Sequence, residues 1–271
     1  MQAEKQVLYV VHYTKLVDRR NSILKIFSKS NFKVEWVTEK NFLKINQTYS
    51  DRKTVYGVTK SLIGMDLGVN SRSLVFSRRR ARFQGWILLL RSKIEYNKSL
   101  IRGSLPSGAP LSSAWLEVQQ MHISALKKGI QSKDDWIIIL EDDAIVLNSF
   151  QESIQWVNQT FKPTERIWLN LNSGADLRST SSDPAPDLKG FYRVKPASTR
   201  CAVGYVVSKK LAFEMIQLIE KEGLPNWLPI DLIFQVLLRA LKAKSFWQDP
   251  PSIVQGSESG RFQSGFEEKR K

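Results

Sequence analysis

One segment, DWIIILE at residues 135–141, constrains the fold of this chain more than any other. Its apolar residues are consecutive and do not alternate with polar ones, which is the pattern of a central strand covered on both faces. Other strand and helix patterns follow in the order strand, helix, strand, helices, strand, helix, strand. That order predicts an α/β fold with a mostly parallel central sheet flanked by helices.

The other elements are predicted from hydrophobic periodicity and from turn residues. We expect a single domain over residues 1–271, with a basic helical insertion at about 72–102 and an irregular tail from about 248. Asp18 is expected to cap the first helix. The predicted strands are 6–13, 33–37, 135–141, 166–171 and 200–207, and the later predicted helices cover 112–129, 150–157, 209–222 and 229–242.

Three acids end the central strand, namely Glu141, Asp142 and Asp143. Ligands of open α/β sheets bind at the carboxyl ends of the strands, and crowded carboxylates need a positive partner. A divalent metal that carries a nucleotide diphosphate is such a partner. We therefore predict that Asp143 and Glu141 bind Mn²⁺ or Mg²⁺, and that Glu141 and Asp142 contact the nucleotide. The tripeptide alone leaves open that two of the acids are solvated or cap a helix.

The chain is strongly basic, with a net charge of +15 from 41 Lys and Arg against 26 Asp and Glu. Such an excess attracts nucleic acid, anionic lipid, nucleotide phosphates or acidic glycans. Between Arg72 and Arg102, nine basic residues accompany one acid, Glu95. We expect this segment to contact anionic membrane lipid or an acidic glycan; a solvated basic face around a core helix is the alternative.

Two features bear on location. The apolar run near the N-terminus is too short for a signal peptide, and no other run approaches the roughly 20 residues of a membrane helix. The single cysteine, Cys201, cannot form an internal disulfide, which fits a reducing compartment. We expect a cytoplasmic protein, with peripheral contact to the inner face of a membrane as a further expectation.

The segment around the acids, SKDDWIIILEDDAIVLNSF, resembles the core of glycosyltransferase family 25, the lipopolysaccharide-type glycosyltransferases and procollagen galactosyltransferases. Other segments resemble that family in the same order: VLYVVHYTKLVDRR, LSSAWLEVQQMHISAL, RCAVGYVVSKKLAFEMI, LPIDLIFQ and WQDPPSIVQGSESGRFQS. The departures are Met121, where the family often has Ser, Trp115, where an acid is common, and the unmatched residues 40–110.

This resemblance implies a GT-A type fold, a UDP-sugar donor, a divalent metal and a glycan or lipid-linked glycan acceptor. It also implies inversion of the anomeric centre, which needs a base for the acceptor hydroxyl. We assign that base to Asp231 in LPIDLIFQ; an acid near a helix start is also a common cap. His122 is the next catalytic candidate, with a structural histidine as the alternative.

Three further residues are candidates for contact with the nucleotide. His12 ends the first strand, although a histidine packed on its neighbours is more common there. Arg200 could balance the donor phosphates, and exposure to solvent is its alternative. Gln255 lies in the tail, where GT-A enzymes often place a late ligand or a donor lid.

Two other functions compete with glycosyl transfer. Charge alone would fit a basic nucleic-acid-binding protein, but no recognition motif of that class is present, and no nucleic-acid partner is expected. A metal-dependent phosphohydrolase could use the same acids, although that class usually needs more Asp and His ligands.

Overall fold

The computed structural model describes residues 5–40, 113–172, 183–184, 190–195, 197–199, 201–222, 229–257 and 259–262. The predicted basic insertion at about 72–102 and the candidate Arg200 lie outside them. The strands are β1 Gln6–His12, β2 Phe32–Thr38, β3 Trp136–Glu141, β4 Ala144–Val146, β5 Ile167–Asn170, β6 Asp183–Pro184, β7 Phe191–Val194, β8 Gly204–Ser208, β9 Lys244–Gln248 and β10 Ile253–Gln255. The helices are α1 Val17–Phe27, α2 Ser113–Gln131, α3 Phe150–Thr160, α4 Lys209–Glu222 and α5 Ile230–Ala240.

The predicted strands and helices outside the insertion are confirmed, with shifts at their ends. The largest shift is in β8, which begins at Gly204 rather than at residue 200. The predicted cap of α1 is wrong: Leu16 is the N-cap, and Asp18 lies in the first turn. A carboxylate in that turn still interacts favourably with the helix dipole.

The main sheet is mixed rather than mostly parallel. Its strand order is β2-β1-β3-β8-β5-β9-β7-β6. Among the strands that the structure describes, three pairs are parallel, β1–β2, β1–β3 and β5–β9, whereas β3–β8, β5–β8, β7–β9 and β6–β7 are antiparallel. The expectation of a mostly parallel sheet is wrong because β8 runs antiparallel to both of its neighbours, β3 and β5. Its apolar residues indicate that both faces of the strand are buried, but they do not indicate the direction of the strand.

Helices cover both faces of this sheet, which explains the continuous apolar run in β3. Ile137 and Ile139 face the core formed with α2, α4 and α5. Ile138 and Leu140 face the opposite core, formed with α1 and α3. Because neighbouring side chains of a strand point to opposite faces, both faces of β3 must be apolar.

The C-terminal tail is more regular than the sequence predicted. Residues 253–255 form β10, which pairs antiparallel with β4 directly after the acidic motif. Asp143 is thereby brought next to the chain around residues 255–257. Within the described residues, no helix has both the length and the apolar character needed to cross a bilayer.

The central position of β3 gives a stability prediction. Ile138 is fully buried, so Ile138→Ala leaves a cavity and should lower the free energy of unfolding by about 2–5 kcal/mol in urea denaturation. Leu147 is 39% exposed, and Leu147→Ala should change it by less than about 0.5 kcal/mol. Equal, small effects of both changes would contradict the assignment of β3 to the core.

Candidate active site

The acidic motif lies where β1 and β3 end side by side, with Val11 paired to Glu141. Its three side chains contact different parts of the protein. Asp142 contacts β1 and α1, Asp143 contacts the tail, and Glu141 contacts α2. The motif is therefore three separate sites of contact and not one cluster of equivalent acids.

Asp142 is fully engaged by protein donors. Its Oδ2 lies 2.9 Å from His12 Nδ1 and accepts the backbone N–H of Tyr13 at 3.2 Å. Its Oδ1 accepts Nη1 of Arg19 at 2.7 Å. Both Asp142 and Arg19 are buried, so this ion pair ties α1 and the end of β1 to the acidic motif. The interaction orients the motif and leaves no Asp142 oxygen without a protein donor.

His12 is held in place by its contact with Asp142. It is fully buried, and its ring lies 5.1 Å from the Trp36 ring in an edge arrangement. Its Nε2 is buried, and no described residue forms a hydrogen bond with it. The side chain expected at the nucleotide is thus packed on neighbours, which was the alternative for a histidine at a strand end.

The C-terminal tail contacts Asp143 at one carboxylate oxygen and at its backbone carbonyl. Ser257 Oγ donates to its Oδ2 at 2.7 Å, and the N–H of Gly256 donates to its carbonyl oxygen at 2.8 Å. A Cβ at Gly256 would lie 2.6 Å from that carbonyl, so only glycine permits the approach. The Asp143 Oδ1 is buried and has no hydrogen-bond partner among the residues that the structure describes. Burial, together with the Glu141 charge, raises the Asp143 pKa to about 6.

Glu141 is the acid that contacts α2. Its Oε1 lies 3.1 Å from Nε2 of His122, whose Nδ1 lies 3.0 Å from the hydroxyl of Tyr205. His122 is fully buried, whereas the Glu141 side chain is 23% exposed. The carboxylate is thus the accessible end of a buried chain of polar groups.

Asp231 lies in the first turn of α5. Burial raises its pKa, and the Glu141 charge acts in the same direction. The backbone N–H groups at the start of α5 act on this pKa in the opposite direction, by less than burial does. The side chain therefore lies near the helix N-terminus and within electrostatic range of Glu141.

Other residues around the site make contacts that local sequence patterns do not predict. Glu39, after the end of β2, is half-buried and accepts the backbone N–H and the hydroxyl of Thr14. Tyr205 lies in β8, where its hydroxyl contacts His122. Gln255 lies in β10, and its Oε1 accepts a weak hydrogen bond from the Cys201 thiol at 3.8 Å. Local sequence carries no signal for these contacts because they join segments far apart in the chain.

The donor set around Asp143 fits a divalent cation. Carboxylate oxygens are the ligands that Mg²⁺ and Mn²⁺ prefer, and a cation would compensate the buried, unpartnered Asp143 Oδ1. The part of the chain that the structure describes holds no group of three His, Cys, Asp or Glu able to bind a metal by itself. A cation would thus take one or two carboxylates and complete its shell with phosphate and water, as Mg²⁺ commonly does.

The family comparison covers this region. Residues 107–234 match glycosyltransferase family 25, described as an LPS biosynthesis protein. The resemblance inferred from the sequence is confirmed over that segment. The family 25 segment contains β3, the three acids, His122 and Asp231, and it ends before the tail that contacts Asp143. The search of curated proteins found no match.

The buried carboxylate of Asp143 gives a prediction about pH. Its pKa is higher in the folded protein than the ordinary 3.8, so its stabilising contribution is complete below about pH 4 and is lost as the pH rises through about 6. Asp143→Asn cannot ionise and should be more stable than wild type at pH 7.5 in EDTA, by at most about 3 kcal/mol. Urea denaturation at pH 4 and 7.5 measures the difference, which should nearly vanish at pH 4.

Asp142→Asn is the matched control. It removes the charge that pairs with buried Arg19 and should therefore lower stability at pH 7.5, by about 3 kcal/mol. A loss of stability in Asp143→Asn at pH 7.5 would show that Asp143 is a satisfied structural acid.

Proposed function

We propose that the protein transfers a sugar from a nucleotide-sugar donor, a UDP-sugar, to a glycan or lipopolysaccharide-type acceptor. The family 25 match supports transferase activity and a sugar acceptor of that class. The observation that supports the donor side most is the buried Asp143 oxygen at the carboxyl end of β3, which has no partner within the described part of the chain. A GT-A type arrangement is part of the proposal, and the mixed sheet flanked by helices is consistent with it.

On the donor side, Asp143 and Glu141 would hold Mn²⁺ or Mg²⁺. The cation would supply charge compensation for the diphosphate as it leaves. Asp142 and His12 position this region through the pair with Arg19 and do not themselves bind the nucleotide in this proposal. Gln255 and Ser257 place the tail beside Asp143, where a donor would lie.

On the acceptor side, Asp231 is the proposed base. The acceptor hydroxyl oxygen bonds to the anomeric carbon while the bond from that carbon to the diphosphate oxygen breaks, and the hydroxyl proton passes to Asp231. The nucleoside diphosphate leaves, and the configuration inverts. Burial raises the pKa of Asp231, which makes it a stronger base than an exposed aspartate.

The membrane proposal rests on charge alone. The segment from about 72 to 102 carries nine basic residues and one acid and would attract an anionic membrane that presents a lipid-linked acceptor. It lies outside the described residues. Peripheral binding at a membrane surface is part of the proposed function because of this positive charge.

Donor binding provides the first test of this function. A UDP-sugar with Mn²⁺ should raise the melting temperature more than GDP- or CMP-sugars do, and a ligand at 100 times its Kd stabilises by about 2.7 kcal/mol. Asp143→Asn should lose the Mn²⁺-dependent part of this shift while remaining folded. An equal shift in wild type and Asp143→Asn would remove Asp143 from the donor site.

The role of Asp231 is tested by its amide variant. Asp231→Asn can still accept hydrogen bonds from the helix N-terminus but cannot take the acceptor proton. Sugar transfer should fall on the order of 10²–10⁴-fold, with the melting temperature and the UDP-sugar affinity nearly unchanged. Transfer at the wild-type rate would leave Asp231 with a capping role only. Extension of a glycan, rather than release of phosphate, also separates this function from that of a phosphohydrolase.

A further inference from the structure

A buried chain of three side chains connects the core to the accessible end of the acidic motif. Tyr205 in β8 contacts His122 in α2, and His122 contacts Glu141 at the end of β3. Tyr205 and His122 are both fully buried. The two heavy-atom distances, 3.0 and 3.1 Å, are those of ordinary hydrogen bonds.

The donors and acceptors in this chain determine where the protons lie. Burial raises the Tyr205 pKa well above its ordinary value, so its hydroxyl keeps a proton and can donate. The Glu141 carboxylate can only accept. The arrangement that satisfies both ends has Tyr205 donating to His122 Nδ1 and His122 Nε2–H donating to Glu141.

We propose that Tyr205 and His122 are positioning residues: Tyr205 selects the His122 tautomer, and His122 fixes the Glu141 carboxylate in the active site. The importance of Glu141 rests on the function proposed above. Both ring nitrogens of His122 are then occupied, so the ring has no lone pair for an acceptor proton. His122, first considered as a catalytic candidate, therefore acts through Glu141.

Aromatic packing holds the chain in this geometry. The Tyr205 ring stacks on Trp168 at a centroid distance of 4.3 Å. Phe234 lies 5.5 Å from the Tyr205 ring and 6.0 Å from the His122 ring, edge-on to both. Rings packed in this way cannot turn to other partners without opening the core. A Phe at position 205 would keep the same packing and lose only the hydroxyl.

The position of Glu141 explains why its orientation matters. The Glu141 charge raises the pKa of both Asp143 and Asp231, so its carboxylate lies within electrostatic range of the proposed metal ligand and of the proposed base. A rotation of that carboxylate would disturb both sides of the reaction. Outer hydrogen-bond partners of a metal-site ligand typically contribute about 10–100-fold to affinity or activity.

The kinetic test uses two tyrosines from the same buried cluster. Tyr205→Phe should lower kcat for UDP release from UDP-galactose or UDP-glucose by about 10–100-fold, with the KM for that donor changed less than about threefold. Tyr9 is also buried, and its hydroxyl lies near Ser132. Tyr9→Phe removes an equivalent hydroxyl and should leave kcat unchanged. Wild-type kcat in Tyr205→Phe, or an equal loss in Tyr9→Phe, would overturn the proposal.

Rescue by a conservative change separates positioning from packing. His122→Gln keeps an N–H that can donate to Glu141, and His122→Leu keeps only volume. The Gln variant should retain at least about tenfold more kcat than the Leu variant, when both are folded by circular dichroism. Equal activity of the two variants would show that the ring serves packing alone.

The tautomer can be observed without any activity. The chain has two histidines, so ¹⁵N-histidine NMR gives few signals, and those that move in Tyr205→Phe belong to His122. We expect an unprotonated Nδ1 and a protonated Nε2 in wild type. A protonated Nδ1, alone or with Nε2, would overturn the proposal. If wild type turns over neither UDP-sugar, the proposed function loses support while the NMR result still decides the tautomer.

Discussion

The buried pair between Asp142 and Arg19 is the interaction on which the candidate site depends. It joins residues 123 positions apart and fixes α1 and the end of β1 against the carboxyl end of β3. Its charges are buried, so the pair is held together by the cost of separating them as well as by their attraction. Through the same carboxylate, His12 and the backbone of Tyr13 are placed at the edge of the site.

The pair is one of three different environments that the fold provides for the acidic motif. Three adjacent carboxylates repel one another, and the fold reduces that repulsion by giving each a different environment. Asp142 has a cation, Glu141 has a hydrogen-bonded imidazole, and Asp143 has a hydroxyl and a backbone contact from the tail. Of the three, Asp143 has a buried oxygen without a partner in the described ranges, so it is the acid whose burial a bound cation would compensate most.

Sequence patterns predicted the helices, the central strands and the acidic motif because periodicity and apolar runs are local signals. They did not predict the direction of β8, since burial on both faces occurs in parallel and antiparallel strands that lie inside a sheet. The strands β4, β6, β7, β9 and β10 were not predicted, because each is only two to five residues long and is defined by pairing with a distant segment. The partners of Asp142, Asp143 and Glu141 were also missed, because each contact depends on tertiary packing and leaves no trace in the neighbouring residues.

The contact between Ser257 and Asp143 has a consequence for biosynthesis. The two residues are 114 positions apart, and folding of a domain proceeds while the chain emerges from the N-terminal side. The ribosome must therefore release residues 256 and 257 before Asp143 acquires its support. Until those residues emerge, the chain carries the acidic motif without the tail residues that hydrogen-bond to Asp143.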